Sequence, residues 1–202
     1  MEYRRQWFYK NEMKDILIAM VAVTIVFSYR PFDFNTTLSL MPYYFVAVVV
    51  AFLFHELAHR FVARRFGCVA FFKLWPQGVM VSLLFMLMGL KFIAPGAVVI
   101  LPYKFGRWGR KAINVQLTDV EMGLISISGI AVNIFFAGLF SMFSGEFFGF
   151  LAGINAVLAL FNLLPIPPLD GSKIVKWKPL IWLFMIIIAG VIAYPYIFGS
   201  AV

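Results

Sequence analysis

The chain has 202 residues, of which 63% are hydrophobic and 13% charged, and its mean hydropathy is +0.92. This length suits one domain spanning 1–202, but such an apolar composition excludes an ordinary water-soluble protein and places most of the surface in lipid. The net charge of +8 does not indicate a nucleic-acid partner, because the basic residues lie in short clusters between apolar runs, as the positive-inside rule predicts for membrane-protein loops.

The first apolar run, residues 16–29, is shorter than the roughly 20 residues that a membrane-spanning helix needs, but aromatic residues on both sides can extend it into the interface. Arg4, Arg5, Lys10 and Lys14 precede this run. These charges predict a cytosolic N-terminus. The segment 1–15 is also too charged and too long to resemble the start of a cleaved signal peptide with a small-residue cleavage site. We therefore predict that the first apolar run is a retained span.

A second helix is predicted to begin near Ser39 and Pro42 and to end at Phe66, with Asn35-Thr36-Thr37 forming a loop before it. The pair Arg64-Arg65 lies in its last turn, where positive charge suits the negative end of the helix dipole. The same charges predict that this helix returns to the cytosolic side of the membrane.

The inner half of this helix carries the chain's only two histidines, within His55-Glu56-Leu57-Ala58-His59. Residues four apart share one helix face, so both imidazoles can bind one metal ion while Glu56 lies beside its open position. The alternative is a chance match, but ionisable side chains at membrane depth are costly and indicate function. At the rise of an α-helix, His59 lies roughly 10 Å and His55 roughly 16 Å from the C-terminal end of this helix, inside the bilayer.

The stretch that follows contains two apolar segments, 79–90 and 97–101, which are each too short for an ordinary span. Basic residues on both sides, in a loop at 60–73 and in 103–116, predict that both ends are cytosolic. We therefore predict a membrane-embedded re-entrant element over 78–102, as a short helix plus a strand or as a small sheet. Two short helices that pack together are the alternative.

Three further apolar helices complete the predicted fold, at 122–143, 147–164 and Pro179–Phe198. The first of them follows Thr118-Asp119-Val120-Glu121, which has the pattern of a capping box. The expected fold class is an all-α polytopic membrane protein with about five transmembrane helices and a re-entrant or β element between the second and third.

Asp170 is the acid expected to complete the metal site, because catalytic zinc takes three protein ligands and leaves a fourth position for water. It follows three prolines at the inner end of the fourth span, so we predict that an extended, non-helical segment presents it on the same side as His59. The alternative is a residue of a Pro-Leu-Asp-Gly turn. With zinc lowering the pKa of water to about 7, hydroxide can attack a carbonyl while Glu56 acts as general base.

These motifs resemble those of the site-2 protease family of intramembrane zinc metalloproteases, in its compact archaeal or bacterial form without a PDZ insertion. The resemblance rests on the H-E-x-x-H sequence at 55–59 and on 162–171, which fits N-x-x-P-x-P-x-L-D-G. Between them, 129–133 fits a glycine-to-asparagine motif, although Ile130 stands where many members have proline. The resemblance covers 42–171, the expected core of a single membrane-embedded protease domain.

The resemblance implies hydrolysis of a peptide bond in or near a transmembrane segment of a membrane-protein substrate, with one Zn²⁺ per chain and no nucleic-acid partner. The expected location is the cell membrane, with several spans, in contact with the lipid bilayer and with cytosolic loops near the active site. A strand edge within 68–101 can capture an extended peptide by strand addition. Asn133 or Asn162 can donate to the developing oxyanion, or else form interhelical hydrogen bonds.

Two other functions remain compatible with these patterns. One is a catalytically inactive zinc-containing membrane scaffold or binding protein. The other is a metal transporter, which is disfavoured because the polar residues cluster at one depth and do not form a path across the membrane.

Overall fold

The computed structural model describes residues 11–90, 93, 95–101, 103–105, 112–114 and 117–198. In chain order its elements are α1 (Glu12–Ser28), α2 (Phe34–Val48), a π-helical segment (Val49–Leu53), α3 (Phe54–Arg65), β1 (Val69–Leu74), α4 (Pro76–Leu87), β2 (Gly96–Leu101), β3 (Tyr103–Phe105), β4 (Ala112–Asn114), α5 (Asp119–Ser141), α6 (Glu146–Asn162), α7 (Asp170–Trp177) and α8 (Pro179–Phe198). The basic residues of 1–10 and 106–111, which carry part of the predicted orientation, lie outside the described residues.

Three helices within the described residues are long and apolar enough to cross a membrane: the continuous helix Phe34–Arg65, α5 and α8. The predicted helical membrane protein is confirmed in this form, together with a small antiparallel sheet formed by β1 and β2. Helices α1 and α6 have 17 residues each, fewer than the roughly 20 that span a bilayer without help from their flanks.

The start of α2 corrects the predicted loop at 35–37 and the predicted helix start near Pro42. Asp33 is the N-cap, and its side chain accepts a hydrogen bond from the Thr36 backbone N–H at 3.0 Å. This bond satisfies one of the free N–H groups of the first turn. Hydrogen bonds from the side chain of Thr36 and from its backbone together lower the pKa of Asp33. Pro42 lies inside the helix, which membrane helices tolerate because neighbouring groups can satisfy the freed backbone.

The described residues of 78–102 contain most of the short helix α4 and the strand β2, which is the combination of helix and strand that was one of the predicted forms. Strands β1 and β2 pair antiparallel, with Val69 opposite Leu101 and Leu74 opposite Gly96, and α4 connects them. The assignment of 60–73 to a basic loop is therefore corrected, because α3 continues to Arg65 and β1 begins at Val69.

The outer edge of β1 is covered by carboxylates of α1. The N–H of Phe72 donates to Oε1 of Glu12 at 2.8 Å, and the N–H of Leu74 donates to Oδ2 of Asp15 at 3.2 Å. Glu12 also accepts from Arg60 of α3 at 2.9 Å, and both side chains are buried. Arg60 is therefore part of a buried ion pair and not of a loop.

Helix α5 approaches its neighbours closely because it has glycine at the contacts. A Cβ at Gly129 would collide with the imidazoles of His59 and His55, and a Cβ at Gly123 would collide with the ring of Trp177. The capping box predicted at its start is present, with the backbone N–H groups of Thr118 and Glu121 each bonded to the other's side chain. Helix α5 thus holds both α3 and α7 in place.

Candidate active site

The H-E-x-x-H sequence lies in the first two turns of α3, directly after the π-helical segment Val49–Leu53. His55, Glu56 and His59 are all buried, no more than 8% exposed. A π-helical turn holds an extra residue, which changes the rotation of the helix that follows it, and such turns are frequent at functional sites. The sequence carried no signal for this segment, because its residues are as apolar as those of an ordinary helix.

His55, His59 and Asp170 form one cluster. Nε2 of His59 lies 2.9 Å from Nε2 of His55 and 2.9 Å from Oδ2 of Asp170, and the distance from His55 Nε2 to the same oxygen is 3.5 Å. Within the described part of the chain, this is the one group of three His, Cys, Asp or Glu side chains whose ligand atoms lie within 4.8 Å of one another. Two imidazole nitrogens and a carboxylate oxygen match the donor set of a catalytic zinc site.

Asp170 is the first residue of α7, so the predicted non-helical segment is corrected at this position. The prolines do end α6 as expected, but a new helix begins directly after them. A Cβ at Gly171 would collide with the carbonyl of Leu163, so the start of α7 lies tightly against the end of α6. This close approach positions Asp170 opposite the two histidines. No local sequence pattern predicts the approach, because it depends on how α6 and α7 pack.

Lys173, one turn further along α7, donates from Nζ to Oδ1 of Asp170 at 2.9 Å. The other oxygen of the carboxylate faces the two histidines. Burial alone would raise the pKa of Asp170, but the imidazoles of His59 and His55 and the ammonium of Lys173 hold it well below its usual value. These neighbours favour the ionised carboxylate, which is the form that binds a metal.

The Nδ1 atoms of both histidines face groups on α5. Nδ1 of His59 lies 2.7 Å from the carbonyl oxygen of Ile125, so it carries a proton and leaves Nε2 free to bind a metal. Nδ1 of His55 lies 3.1 Å from the side-chain amide of Asn133. The same amide atom lies 3.3 Å from the carbonyl of Ala51 and 3.0 Å from that of Gly129, contacts that suit its nitrogen. The amide has two orientations. If its nitrogen occupies this position, it donates to Nδ1 of His55 and to the two carbonyl groups. If its oxygen occupies this position, it accepts from the N–H at Nδ1 of His55, which leaves Nε2 of His55 free to bind a metal.

Glu56 lies between the cluster and the sheet. Its carboxylate accepts a hydrogen bond from the backbone of Val98 in β2, while Oε2 is buried without a hydrogen-bond partner among the described residues. Buried polar atoms are nearly always paired, so an unpaired carboxylate oxygen indicates a missing polar ligand such as water. The site therefore fits a metal ion and its water on chemical grounds.

A cavity of about 590 Å³ contains all of these groups, and its walls are mainly apolar. Its lining includes His55, Glu56, His59, Lys73, Leu74, Trp75, Pro95, Gly96, Val98, Ile100, Ile125, Ser126, Asn133, Asn162, Pro167, Pro168, Leu169, Asp170 and Lys173. Asn133 and Asn162 therefore both reach the cavity, and Nδ2 of Asn162 donates to the carbonyl of Leu158 at 3.0 Å. The contacts of Val98 with Glu56 and of Ile125 with His59 were not expected from the sequence, because each joins residues distant in the chain. The contact of Lys173 with Asp170 was not expected because it depends on the helix α7 that begins at Asp170.

Comparison with known proteins agrees with this geometry. A model of peptidase family M50 matches residues 141–178, which include Asn162 and Asp170. "Putative zinc metalloprotease MJ0611" from Methanocaldococcus jannaschii is 37% identical over 187 residues, 87% of this chain and 88% of that protein. "Putative zinc metalloprotease YwhC" from Bacillus subtilis is 35% identical over 162 residues, 69% of this chain and 70% of that protein.

No solved structure matches the chain. The match with the archaeal relative covers nearly the whole of both chains, so the resemblance noted from the motifs is confirmed. The chain belongs to peptidase family M50, the site-2 protease family, and is a zinc-dependent metalloprotease of the membrane.

Proposed function

We propose that the protein hydrolyses a peptide bond in or near a transmembrane segment of a membrane-protein substrate, with His55, His59 and Asp170 binding one zinc ion. The observation that carries this proposal is the position of the buried Glu56 beside the three-ligand cluster, with one carboxylate oxygen unpaired in the same cavity. A ligand cluster, an adjacent base and a cavity that can hold the substrate are the parts that metal-assisted hydrolysis requires.

Bound zinc would acidify water and polarise the scissile carbonyl group. Glu56 then takes a proton from the attacking water, whose oxygen forms a bond to the carbonyl carbon. When the carbon–nitrogen bond breaks, Glu56 returns that proton to the leaving amine, so one water molecule is consumed and the base is regenerated. The backbone N–H of Val98 holds the Glu56 carboxylate during both transfers.

The substrate, in this proposal, lies along the outer edge of β2 in an extended conformation. A helical segment must unwind first, because its carbonyl groups are engaged in intrahelical hydrogen bonds. An edge strand offers the unwound segment new backbone partners, and the cavity of about 590 Å³ is within the usual range for ligand sites. Strand addition therefore explains why a small sheet lies beside the metal cluster.

The proposal extends to the arrangement of the chain in the bilayer. We propose a single protease domain over 1–202 with its core at 42–171, in which α1 and α6 also span the membrane and the β1–α4–β2 unit is re-entrant. The distribution of basic residues supports a cytosolic N-terminus and an active site that opens toward the cytosol. The lipid bilayer and a transmembrane protein or peptide are then the partners.

The two asparagines have different proposed roles. Asn133 is fully buried and contacts Nδ1 of His55, which supports a role in orienting this metal ligand. Asn162 lines the cavity on the side of the Pro167–Pro168 segment, which supports a contact with the substrate or with the developing oxyanion.

The test is Glu56→Gln, assayed for zinc content and for cleavage of a single-span test substrate in detergent. We expect one zinc per chain in both proteins, and cleavage reduced by roughly 100- to 10,000-fold in the variant. Glu146→Gln, at the exposed start of α6, is the matched control and should cleave normally. Unchanged cleavage by Glu56→Gln contradicts the proposal, and a zinc-loaded wild-type protein without cleavage would favour the scaffold alternative.

A further inference from the structure

Ser126 is a buried serine whose hydroxyl has no hydrogen-bond partner among the residues that the structure describes. It lies in α5, is 1% exposed and lines the active-site cavity. Within the described part of the chain, its Oγ makes no hydrogen bond. Glu56 Oε2 is the other such atom in this cavity, and the proposed reaction gives it a function. The reaction as described so far assigns no function to the hydroxyl of Ser126.

The other serines in helices of the described residues behave differently. Each of them donates its hydroxyl to a backbone carbonyl three or four residues earlier: Ser28, Ser39, Ser82, Ser128, Ser141 and Ser172. This local bond is the usual way in which a helix satisfies a serine. Ser126 does not make it, so its hydroxyl is free to meet a ligand.

The residues next to Ser126 in α5 contact both the two histidines and the β1–β2 sheet. The preceding residue, Ile125, binds His59 through its carbonyl, and Gly129, about one turn further on, lies against the imidazoles of both histidines. The side chain of Ile125 packs in one cluster with Val98 and Ile100 of β2. Ser126 therefore lines the cavity beside residues that contact the metal ligands and the strand along which the substrate is proposed to lie.

A buried hydroxyl without a partner costs free energy in the unliganded protein, since it has left water and gained no bond. Such a group is expected where a ligand supplies the partner. A serine hydroxyl can donate to a peptide carbonyl or accept from a peptide N–H, so the backbone of an extended peptide suits it in either direction.

We propose that the hydroxyl of Ser126 hydrogen-bonds to the backbone of the substrate peptide bound along β2. This inference rests on the proposed function. Ser126 is then a substrate-binding residue that contributes affinity without taking part in proton transfer, and its contact is independent of the substrate's side chains.

The experiment compares Ser126→Ala with Ser82→Ala, which removes an equally buried hydroxyl, 3% exposed, that is bonded to the Gly78 carbonyl at 2.8 Å. We measure KM, kcat, zinc content and the midpoint of thermal unfolding with the single-span test substrate. For Ser126→Ala we expect a KM raised by about 3- to 10-fold, as for loss of one neutral hydrogen bond, with kcat and zinc unchanged. Its unfolding temperature should equal or exceed that of wild type, whereas Ser82→Ala should lower it and leave KM unchanged.

An unchanged KM in Ser126→Ala overturns the inference, as does a reduced kcat with unchanged KM, which would place the hydroxyl at the chemical step. Misfolding of Ser126→Ala overturns it too, because the hydroxyl would then serve the fold. Glu56→Gln, assayed in parallel, separates the two proposals. If it abolishes cleavage while Ser126→Ala behaves as wild type, the proposed function stands and only the inference about Ser126 fails.

Discussion

The two outer edges of the β1–β2 sheet have opposite environments. Along β1, the outward N–H groups of Phe72 and Leu74 donate to Glu12 and Asp15 of α1. Along β2, the backbone of Val98 meets Glu56, and the strand forms a wall of the active-site cavity. One edge is closed by side chains of the protein, and the other faces the space in which the reaction is proposed to occur.

This difference shows how a sheet can exist among apolar helices. An unpaired backbone N–H or carbonyl group is costly away from water, so each edge needs permanent partners or access to a polar cavity. The β1 edge has permanent partners, and one of them, Glu12, is also paired with Arg60 next to His59. The same contacts thus anchor the sheet to α3, while the edge of β2 lines the cavity.

The largest effect is expected at the closed edge. Glu12→Ala removes the carboxylate that accepts from both Arg60 and the Phe72 N–H, and breaking a buried ion pair from one side costs about 3–5 kcal/mol. We expect a large fall in the midpoint of thermal unfolding in detergent. The fraction of protein that remains folded should still bind zinc, because none of the proposed metal ligands is changed.

Asp15→Asn is the matched control, because it changes the second carboxylate on the same edge. Asp15 is only half-buried and makes one bond to this edge, so its loss should cost about 1 kcal/mol. Equal unfolding midpoints for Glu12→Ala and wild type would contradict the view that the β1 edge depends on α1.

A smaller effect is expected at the open edge. Val98→Pro removes the N–H that donates to the carboxylate of Glu56, while edge strands tolerate proline where the N–H points outward. Loss of a hydrogen bond to a charged group predicts a fall in kcat/KM of roughly 10- to 100-fold. Zinc content should stay at one per chain, and the unfolding midpoint should change little.

Val99→Pro provides the comparison, because N–H groups alternate along a strand and that of Val99 faces Phe71 of β1. This variant should lose a hydrogen bond of the sheet, so its main effect should be a lower unfolding temperature. If Val98→Pro cleaves the test substrate as fast as wild type, the β2 edge is not part of the active site.

Much of the site could be predicted from the sequence because it follows from local rules. The four-residue spacing of His55 and His59 puts them on one face of any helix. The prolines after Asn162 end a helix in any surroundings. Asp170 was the acid predicted at the inner end of a span, on the same side of the membrane as His59. The capping box at Thr118 was readable for the same reason, since its partners are three residues apart.

The remaining features depend on contacts between distant parts of the chain. Strand β1 was expected to be part of a basic loop, and its pairing with β2 is visible only when 69–74 and 96–101 are brought together. Arg60 was counted with the basic residues of 60–73, and its ion pair with Glu12 could not be predicted because that partner lies 48 positions away. Pro42 suggested a helix start by local preference, but the Asp33 cap and the packing around α2 carry the helix past it.

The most direct test of the account is the zinc K-edge X-ray absorption spectrum of the purified protein, recorded for wild type and for Asp170→Ala. We predict one zinc per wild-type chain with nitrogen and oxygen ligands at about 2.0–2.2 Å, including scattering from two imidazoles. In Asp170→Ala, zinc should be lost or its first shell altered. A sulfur ligand at about 2.3 Å, which only Cys68 or a methionine could supply, would contradict the proposed site. So would an unchanged spectrum with full zinc occupancy in Asp170→Ala.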